Sequence, residues 1–373
     1  MNKSIYLYGA GRRGKAALRI LEKKCNSDIK VLGVIDQKED IKNTSYKIFH
    51  LYDIDHIEKG ASIVICIADG NISMEVFFML KRKGIKDIWW FRGRQIADID
   101  DFFLDYCINC RDWSQNMIWQ MEMHIMDACN LNCRGCTHFS PLFEQETPDF
   151  CSRIDDVRKI KEKVSCIARF GIMGGEPFLN PSIGEYAISI REILPNTDIY
   201  IVTNGLLLTK QDNEVFKKIK AGNVGITISE YAPTRQVIPA ICEILNKHGI
   251  AYDIRPWETK DSTNGRNFFN KPLALSDNNP KYRKLCMSNG CVNICDGKIA
   301  RCPTLMYIDK FNQYFGTNLP NEGIYLIDEM RKGTDLAKKM KEKVPLCEYC
   351  IENPIEWGIC GRNPVLEDFA VKE

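Results

Sequence analysis

Residues 127–139 read Asp127-Ala128-Cys129-Asn130-Leu131-Asn132-Cys133-Arg134-Gly135-Cys136-Thr137-His138-Phe139. Cys129, Cys133 and Cys136 have the spacing C-x-x-x-C-x-x-C. Thiolates hold iron–sulfur clusters, and a closed 4Fe–4S cluster takes four of them. Three thiolates leave one iron without a protein ligand. A metal site with an open position is usually built for chemistry, by the logic that separates catalytic from structural zinc. On these residues alone a zinc knuckle or chance clustering would serve as well, so the flanking chain has to decide.

That chain alternates strand and helix. A strand over Ile118–Met126 leads into the cysteines. A helix over about 152–168 carries Ile154, Val157, Ile160 and Val164 at helical spacing. Strand Arg169–Met173 leads into Gly174-Gly175-Glu176-Pro177. Helix 183–194, strand Ile199–Thr203 ending in Asn204-Gly205, helix 210–220, strand Val224–Ser229, helix 237–248 and strand Ile250–Arg255 follow. Consecutive βα units imply a parallel, barrel-type sheet. Active sites of barrels lie at the carboxyl ends of strands. The cysteines, Gly-Gly-Glu-Pro, Asn204 and Ser229 all fall at such ends. Gly174 and Gly175 let backbone approach a ligand closely. A backbone carbonyl or the Glu176 carboxylate can accept from an ammonium.

With those residues in hand, the stretch resembles the radical S-adenosylmethionine (radical SAM) superfamily over roughly residues 118–260. The resemblance implies a partial (β/α)6 barrel. It also implies a 4Fe–4S cluster on Cys129, Cys133 and Cys136, with S-adenosylmethionine on the open iron. Reductive cleavage there yields a 5′-deoxyadenosyl radical that takes a hydrogen atom from a small-molecule substrate. The electron donor is expected to be of flavodoxin or ferredoxin type. Gly174, Gly175, Glu176 and Pro177 match the segment that binds the methionine amino group, and Asn204 and Ser229 are further cofactor contacts. The family usually places an aromatic residue immediately before the third cysteine, near the adenine. Here that position is Gly135, and His138 or Phe139 is expected to supply the ring face.

Composition agrees. The chain has 373 residues, a formal net charge of +2 and no basic block, so nucleic acid is not the expected partner. The longest apolar run, Ala61–Ala68, is too short for a bilayer, and the first residues do not read as a signal peptide. Seventeen cysteines in such a chain read as metal ligands rather than disulfides. The expectation is a cytoplasmic, oxygen-sensitive protein without membrane contact.

Towards the N-terminus, strand Ser4–Tyr8 runs into Gly9-Ala10-Gly11-Arg12-Arg13-Gly14 and a helix over 15–24, and strand Val31–Ile35 ends at Asp36. Gly9, Gly11, Gly14 and Asp36 therefore have the order and spacing of a dinucleotide-type unit. A third strand over 62–67, a helix over 73–83 and a fourth strand over 85–91 complete a Rossmann-like domain. This order also resembles the N-terminal domain of sugar acyltransferases that bind nucleotide sugars. An inert scaffold or dimerisation surface is the equal alternative. Cys107 and Cys110, in the following segment, read as ordinary helical thiols.

Beyond a polar stretch over 256–284 come Cys286, Cys291, Cys295 and Cys302, then Cys347, Cys350 and Cys360. Asp296-Gly297 is a two-residue hairpin signal between short β-prone runs. Ten residues separate Cys286 from Gly297, and four separate Gly297 from Cys302. This resembles the twitch and SPASM extensions of radical SAM enzymes. Too few cysteines remain for the two SPASM clusters. The twitch pattern implies one auxiliary 4Fe–4S cluster on Cys286, Cys302, Cys347 and Cys350, with Cys291, Cys295 and Cys360 as spares able to replace one of the four. Structural zinc on two cysteine pairs stays open.

The chain is thus expected to hold a Rossmann-like domain (1–95), a linker (96–117), the partial barrel (118–284) and a twitch-type domain (285–373). The N-terminal domain favours a carbohydrate or nucleotide-linked sugar as substrate, to be oxidised, epimerised or rearranged. A peptide maturase is the alternative, and a non-catalytic metal-stapled module or electron carrier is the third class.

Overall fold

The first strand of the barrel shows why this sequence takes this fold. In Gln120-Met121-Glu122-Met123-His124-Ile125, polar and apolar residues alternate, so a strand puts one set on each face. Met121, Met123 and Ile125 are fully buried in the core beneath the helices, and the polar set faces the barrel interior. The computed structural model describes residues 3–22, 28–37, 46–50, 57–93, 103–258, 265–270, 272–277, 281–282, 286, 290–331 and 336–372. The chain divides into two units, Met1–Trp113 and Ser114–Glu373.

In the first unit the elements are β1 (Lys3–Tyr8), α1 (Arg12–Leu21), β2 (Ile29–Asp36), β3 (Ile48–His50), β4 (Ser62–Ile65), α2 (Gly70–Arg82), β5 (Ile88–Phe91) and β6 (Cys107–Asn109). The sheet order is β3-β2-β1-β4-β5-β6. The first five strands are parallel, and the order reverses between β1 and β4, as in doubly wound sheets. Ile5, Leu7, Ile63, Val64 and Ile65 are fully buried, which suits a parallel sheet covered on both faces. Residues 103–113 are not a linker. Phe103 stacks on Phe91 with ring centroids 5.5 Å apart, and β6 closes the sheet antiparallel to β5. Cys107 is a buried thiol on this edge strand rather than on a helix, and Cys110 is a buried thiol that opens the short 3-10 helix Cys110–Asp112.

In the second unit β7 (Ile118–Met126), α3 (Phe150–Lys161), β8 (Ile167–Gly174), α4 (Ile183–Ile193), β9 (Asp198–Thr203), α5 (Asn213–Ala221), β10 (Gly225–Ser229), α6 (Ile238–Lys247) and β11 (Tyr252–Arg255) alternate as expected. Strands β7 to β11 are parallel neighbours in that order. The helices seal the outer face with Ile154, Val157 and Ile160 of α3, Tyr186 and Ile190 of α4, Phe216 and Ile219 of α5, and Ile241 and Leu245 of α6. Each such side chain contributes roughly 1.5–3 kcal/mol when fully buried. Asp149 caps α3 by accepting from the Ser152 N–H at 2.7 Å.

The chain continues through β12 (Phe268–Asn270), β13 (Leu273–Ala274), β14 (Cys291–Cys295), β15 (Lys298–Ala300), α7 (Pro303–Met306), α8 (Ile308–Phe315), β16 (Tyr325–Leu326), α9 (Leu336–Lys339), β17 (Pro354–Glu356) and β18 (Ala370–Val371). The hairpin does not found a separate sheet at 285. Strand β14 pairs parallel with β7, and β15 and β16 extend the same sheet antiparallel. The sixth parallel strand therefore lies beside the first, not beyond the fifth. Asp296 and Gly297 both have positive φ, 49° and 70°, as a primed hairpin turn needs. Arg153 of α3, buried, pairs with Asp296 and donates to the His124 carbonyl at 2.9 Å. The Gly297 N–H donates to Asp156 at 3.0 Å. These bonds lock the hairpin to the barrel.

Candidate active site

Strand β7 delivers its chain into the cysteine loop, which needs three left-handed backbone positions, Asn132, Gly135 and Phe139. Phe139 is fully buried between Phe311 and Phe369, at 5.0 and 5.8 Å. It anchors the loop from below and is not a ring face for a ligand, contrary to expectation. His138 does line the cavity above the loop, its ring 4.7 Å from that of His124. Burial holds His138 well below the usual histidine range, so it is neutral. Gly135 does not line the cavity; its N–H donates to the Asp368 carbonyl at 2.7 Å.

Cys129, Cys133 and Cys136 all line one cavity of about 380 Å³. Burial pushes the Cys129 thiol up to about 12, and burial followed by the neighbouring charge of Cys136 pushes Cys133 up as well. Cys129 and Cys133 are desolvated sulfurs that resist ionisation, a cost that a cationic iron cluster would relieve, so the donor set fits such a group.

The end of β8 is pressed against this loop. The Gly175 N–H donates to the Met126 carbonyl at 2.7 Å, and the Glu176 N–H donates to the Ala128 carbonyl at 3.0 Å. A Cβ on Gly174 would lie 1.8 Å from the Met126 oxygen, and one on Gly175 2.2 Å from that of Ala128. Only glycine permits this approach. Both glycines line the cavity. Glu176 and Pro177 do not. Glu176 is fully buried and accepts from Thr203 Oγ1 at 2.7 Å, the Asn204 N–H at 2.9 Å and the Phe178 N–H at 3.1 Å. Its carboxylate is spent on bracing the end of β9 and is not turned towards a ligand ammonium. Burial pushes this carboxyl up to about 7, against the pull of those three donors. Asn204 and Ser229 both line the cavity, and Asn204 Nδ2 donates to Asn130 Oδ1 at 2.7 Å.

Part of the lining was not foreseen. Gln120, Glu122, Arg255 and Cys291 face the same cavity. Gln120 Nε2 donates to Glu122 Oε1 at 2.9 Å and lies 3.4 Å from Cys291 Sγ. Arg169 donates to Gln120 Oε1 at 3.1 Å and to Asp198 at 3.3 Å, and it covers the Tyr200 ring at 4.6 Å. The period-two pattern of β7 already contained the signal. A strand with polar residues on its inner face lines a polar lumen.

Comparison with known proteins bears on this arrangement. A model of the radical SAM superfamily matches residues 123–253. Residues 123–253 are a radical SAM domain. The GTP 3′,8-cyclase of Alkaliphilus metalliredigens is 28% identical over 127 residues, 34% of this chain and 39% of that one. The GTP 3′,8-cyclase of Chlorobaculum tepidum is 32% identical over 115 residues, 29% of this chain and 32% of that one. The chain thus spans well under half the length of the curated relatives it matches. The solved structure of BtrN in complex with AdoMet and 2-DOIA is 18% identical, with a TM-score of 0.38 over 63% of this chain and 92% of that one. That likeness is too slight to bear on function. The radical SAM domain uses a 4Fe–4S cluster and S-adenosylmethionine, and the Cys129–Cys136 loop is where this chain would hold the cluster.

A second group of thiols lies outside the radical SAM domain. Arg301 reaches Cys347 Sγ at 3.5 Å and Cys286 Sγ at 4.0 Å. Burial pushes Cys302 up to about 12, with the charges of Cys286 and Cys347 adding to the rise and Arg301 opposing it. The Cys350 N–H donates to the Cys347 carbonyl at 3.2 Å. Cys286, Cys302 and Cys347 therefore gather at one place, with Cys350 in the adjoining turn. The three spare cysteines sort themselves out. Cys291 faces the barrel cavity, Cys295 is buried beside the Asp296 turn, and the Cys360 N–H donates to the Asn132 carbonyl at 2.8 Å in the first cysteine loop. Among the described residues no three His, Cys, Asp or Glu side chains close on one metal ion.

In the first unit, Gly9 has φ 104° and Gly11 caps α1. A Cβ on Gly14 would lie 2.0 Å from the Gly9 oxygen, so this glycine is needed for the helix to approach the turn. Asp36 Oδ2 accepts from the Ala10 N–H at 2.6 Å, joining the acid to the glycine loop. Arg13 is turned away. It donates to the carbonyls of Ile67 and Phe91 at 3.2 and 3.4 Å and covers the Trp90 ring at 5.0 Å. Arg12 is exposed. Among the described residues no helix is long and apolar enough to cross a membrane.

Proposed function

We propose that this chain is a radical SAM enzyme acting on a small, hydroxyl-rich molecule, a carbohydrate or nucleotide-linked sugar, which it oxidises, epimerises or rearranges. The supporting observation is the shared cavity. Cys129, Cys133 and Cys136 line it together with Gln120, Glu122 and Arg255. Amide, carboxylate and guanidinium groups in a walled space suit the many donors and acceptors of a sugar. Held on those cysteines, the cluster and S-adenosylmethionine would supply a hydrogen-abstracting radical on one-electron reduction. The chain's own residues do the rest. Gly174 and Gly175 bring backbone up to the cofactor, Asn204 and Ser229 offer polar contacts beside it, and Glu122 and Arg255 orient the substrate. The relatives named for a reaction on GTP agree with a nucleotide-linked substrate.

Cys286, Cys302, Cys347 and Cys350 are the proposed ligands of an auxiliary 4Fe–4S cluster. The loop of Gly9, Gly11 and Gly14, with Asp36, is the proposed seat for a phosphate-bearing part of substrate or effector. The external reductant would be a flavodoxin- or ferredoxin-type protein. The test is anaerobic turnover with deuterated sugars and nucleotide sugars. Deuterium appearing in 5′-deoxyadenosine with one of them supports the reading. Transfer only from a peptide would replace it with peptide maturation.

A further inference from the structure

The last stretch of the chain is laid along the first cysteine loop. Cys133 and Ile359 form an antiparallel bridge. The Arg134 N–H donates to the Gly358 carbonyl at 2.9 Å, and the Cys360 N–H donates to the Asn132 carbonyl at 2.8 Å. Arg134 also pairs with Asp368 at 2.9 Å. Within this cover, Trp357 Nε1 donates to Cys133 Sγ at 3.3 Å. Its ring has little freedom to leave. The Trp357 N–H donates to the Asn267 carbonyl at 2.7 Å. The indole lies nearly parallel to Tyr231, 17° and 6.0 Å away, and Trp257 meets it edge-on at 5.7 Å.

We propose that Trp357 is a positioning residue for the first cluster, raising its reduction potential through the indole N–H held against the Cys133 sulfur. This rests on the radical SAM reading of residues 123–253, in which the Cys133 sulfur stands for an iron-bound thiolate. A reduced cluster carries one more negative charge than an oxidised one. A donor to its thiolate stabilises that extra charge, so hydrogen bonds to cluster sulfurs are among the levers that set potential. The bond strengthens when the sulfur is charged and shielded from water. Indole has a single N–H and no acceptor. Here that donor is directed at a sulfur by three aromatic and backbone contacts, which a merely space-filling side chain would not require. Phenylalanine at 357 would keep most of the ring packing and lose only the donor.

The experiment uses the full chain, reconstituted anaerobically, in a redox titration followed by electron paramagnetic resonance. The signal of the first cluster is the one that changes when S-adenosylmethionine is added. In Trp357→Phe its midpoint should move to more negative potential with iron content unchanged, and Trp357→His, which regains an N–H, should recover part of the shift. An unchanged midpoint in Trp357→Phe overturns the proposal. A second measurement stands even if that variant assembles poorly. Wild-type protein carrying indole-15N tryptophan should show a weak 15N coupling on the reduced, cofactor-responsive signal, and absence of that coupling overturns it. Failure of any signal to respond to S-adenosylmethionine in the wild type would instead count against the radical SAM reading.

Discussion

Thr203 Oγ1 donates to Glu176 Oε1 at 2.7 Å, so the acid of the Gly-Gly-Glu-Pro segment holds the end of β9 rather than a ligand. This carboxyl is pushed by burial from an ordinary 4.5 up to about 7. Below the ordinary value it is protonated in both folded and unfolded chains. As pH rises to about 7, the unfolded chain releases the proton and the folded chain keeps it, so stability falls. Above about 7 the loss is complete, roughly 3 kcal/mol at ~1.4 kcal/mol per pH unit. Glu176→Gln should flatten this decline. Melting temperatures of the cluster-free wild type and variant at pH 5 and pH 7.5 check it, and equal slopes would refute the assignment.

The triple variant Cys129→Ala, Cys133→Ala, Cys136→Ala should form no 5′-deoxyadenosine and keep roughly half the iron, if the second cluster is independent. The reason is that all three thiols line the cavity from one loop. Chromatographic assay of 5′-deoxyadenosine decides the matter, and product surviving in the variant would falsify the ligand set.

Replacing Cys347 and Cys350 by Ala should remove one cluster and leave the spectrum of the first. Slow cleavage of S-adenosylmethionine without substrate should persist while product formation stops. The geometry behind this is Arg301 reaching both Cys347 and Cys286. Iron and sulfide analysis with spectroscopy tests it. Unchanged iron content would show that these residues hold no cluster.

The first unit should bind a nucleotide sugar and not NAD(P). Calorimetry on the full chain checks this, with Gly14→Ala as the probe variant, since its Cβ would lie 2.0 Å from the Gly9 oxygen. The variant should lose binding by about tenfold or more, because the strand–helix turn must open by more than a side chain can absorb. Tight NAD(P) binding would refute the sugar reading. No binding to either would leave the unit as a scaffold.

The parts of this protein that were legible beforehand are those where local chemistry and fold agree. Cys129, Cys133 and Cys136, Gly174, Gly175, Asn204 and Ser229 stand at strand ends because the strand–helix alternation put them there, and the cavity gathers all seven. Glu176 and Phe139 were misread because a motif says which residues occur and not which way they point. Burial turned one into a brace and the other into an anchor. Trp357 and Asp368 were out of reach because their partners lie more than two hundred residues earlier, Cys133 at a separation of 224 and Arg134 at 234. No local pattern encodes such a meeting. Gln120 and Glu122 were within reach, through the two-residue alternation of β7.

The pairing of β14 with β7 has a consequence for how the chain is made. Cys291 lies opposite Gln120, a separation of 171 residues. A ribosome adding about 5–20 residues per second needs on the order of ten to thirty seconds to supply that partner. Once β8 has paired with it, and until that partner arrives, the strand leading into the cysteine loop has one neighbour and one open edge, a surface on which foreign strands can add. Cluster insertion and completion of the barrel therefore compete in time with mispairing. Cells making this protein should need chaperone cover until the hairpin emerges, and a chain that stalls before residue 291 should aggregate rather than yield a smaller working domain.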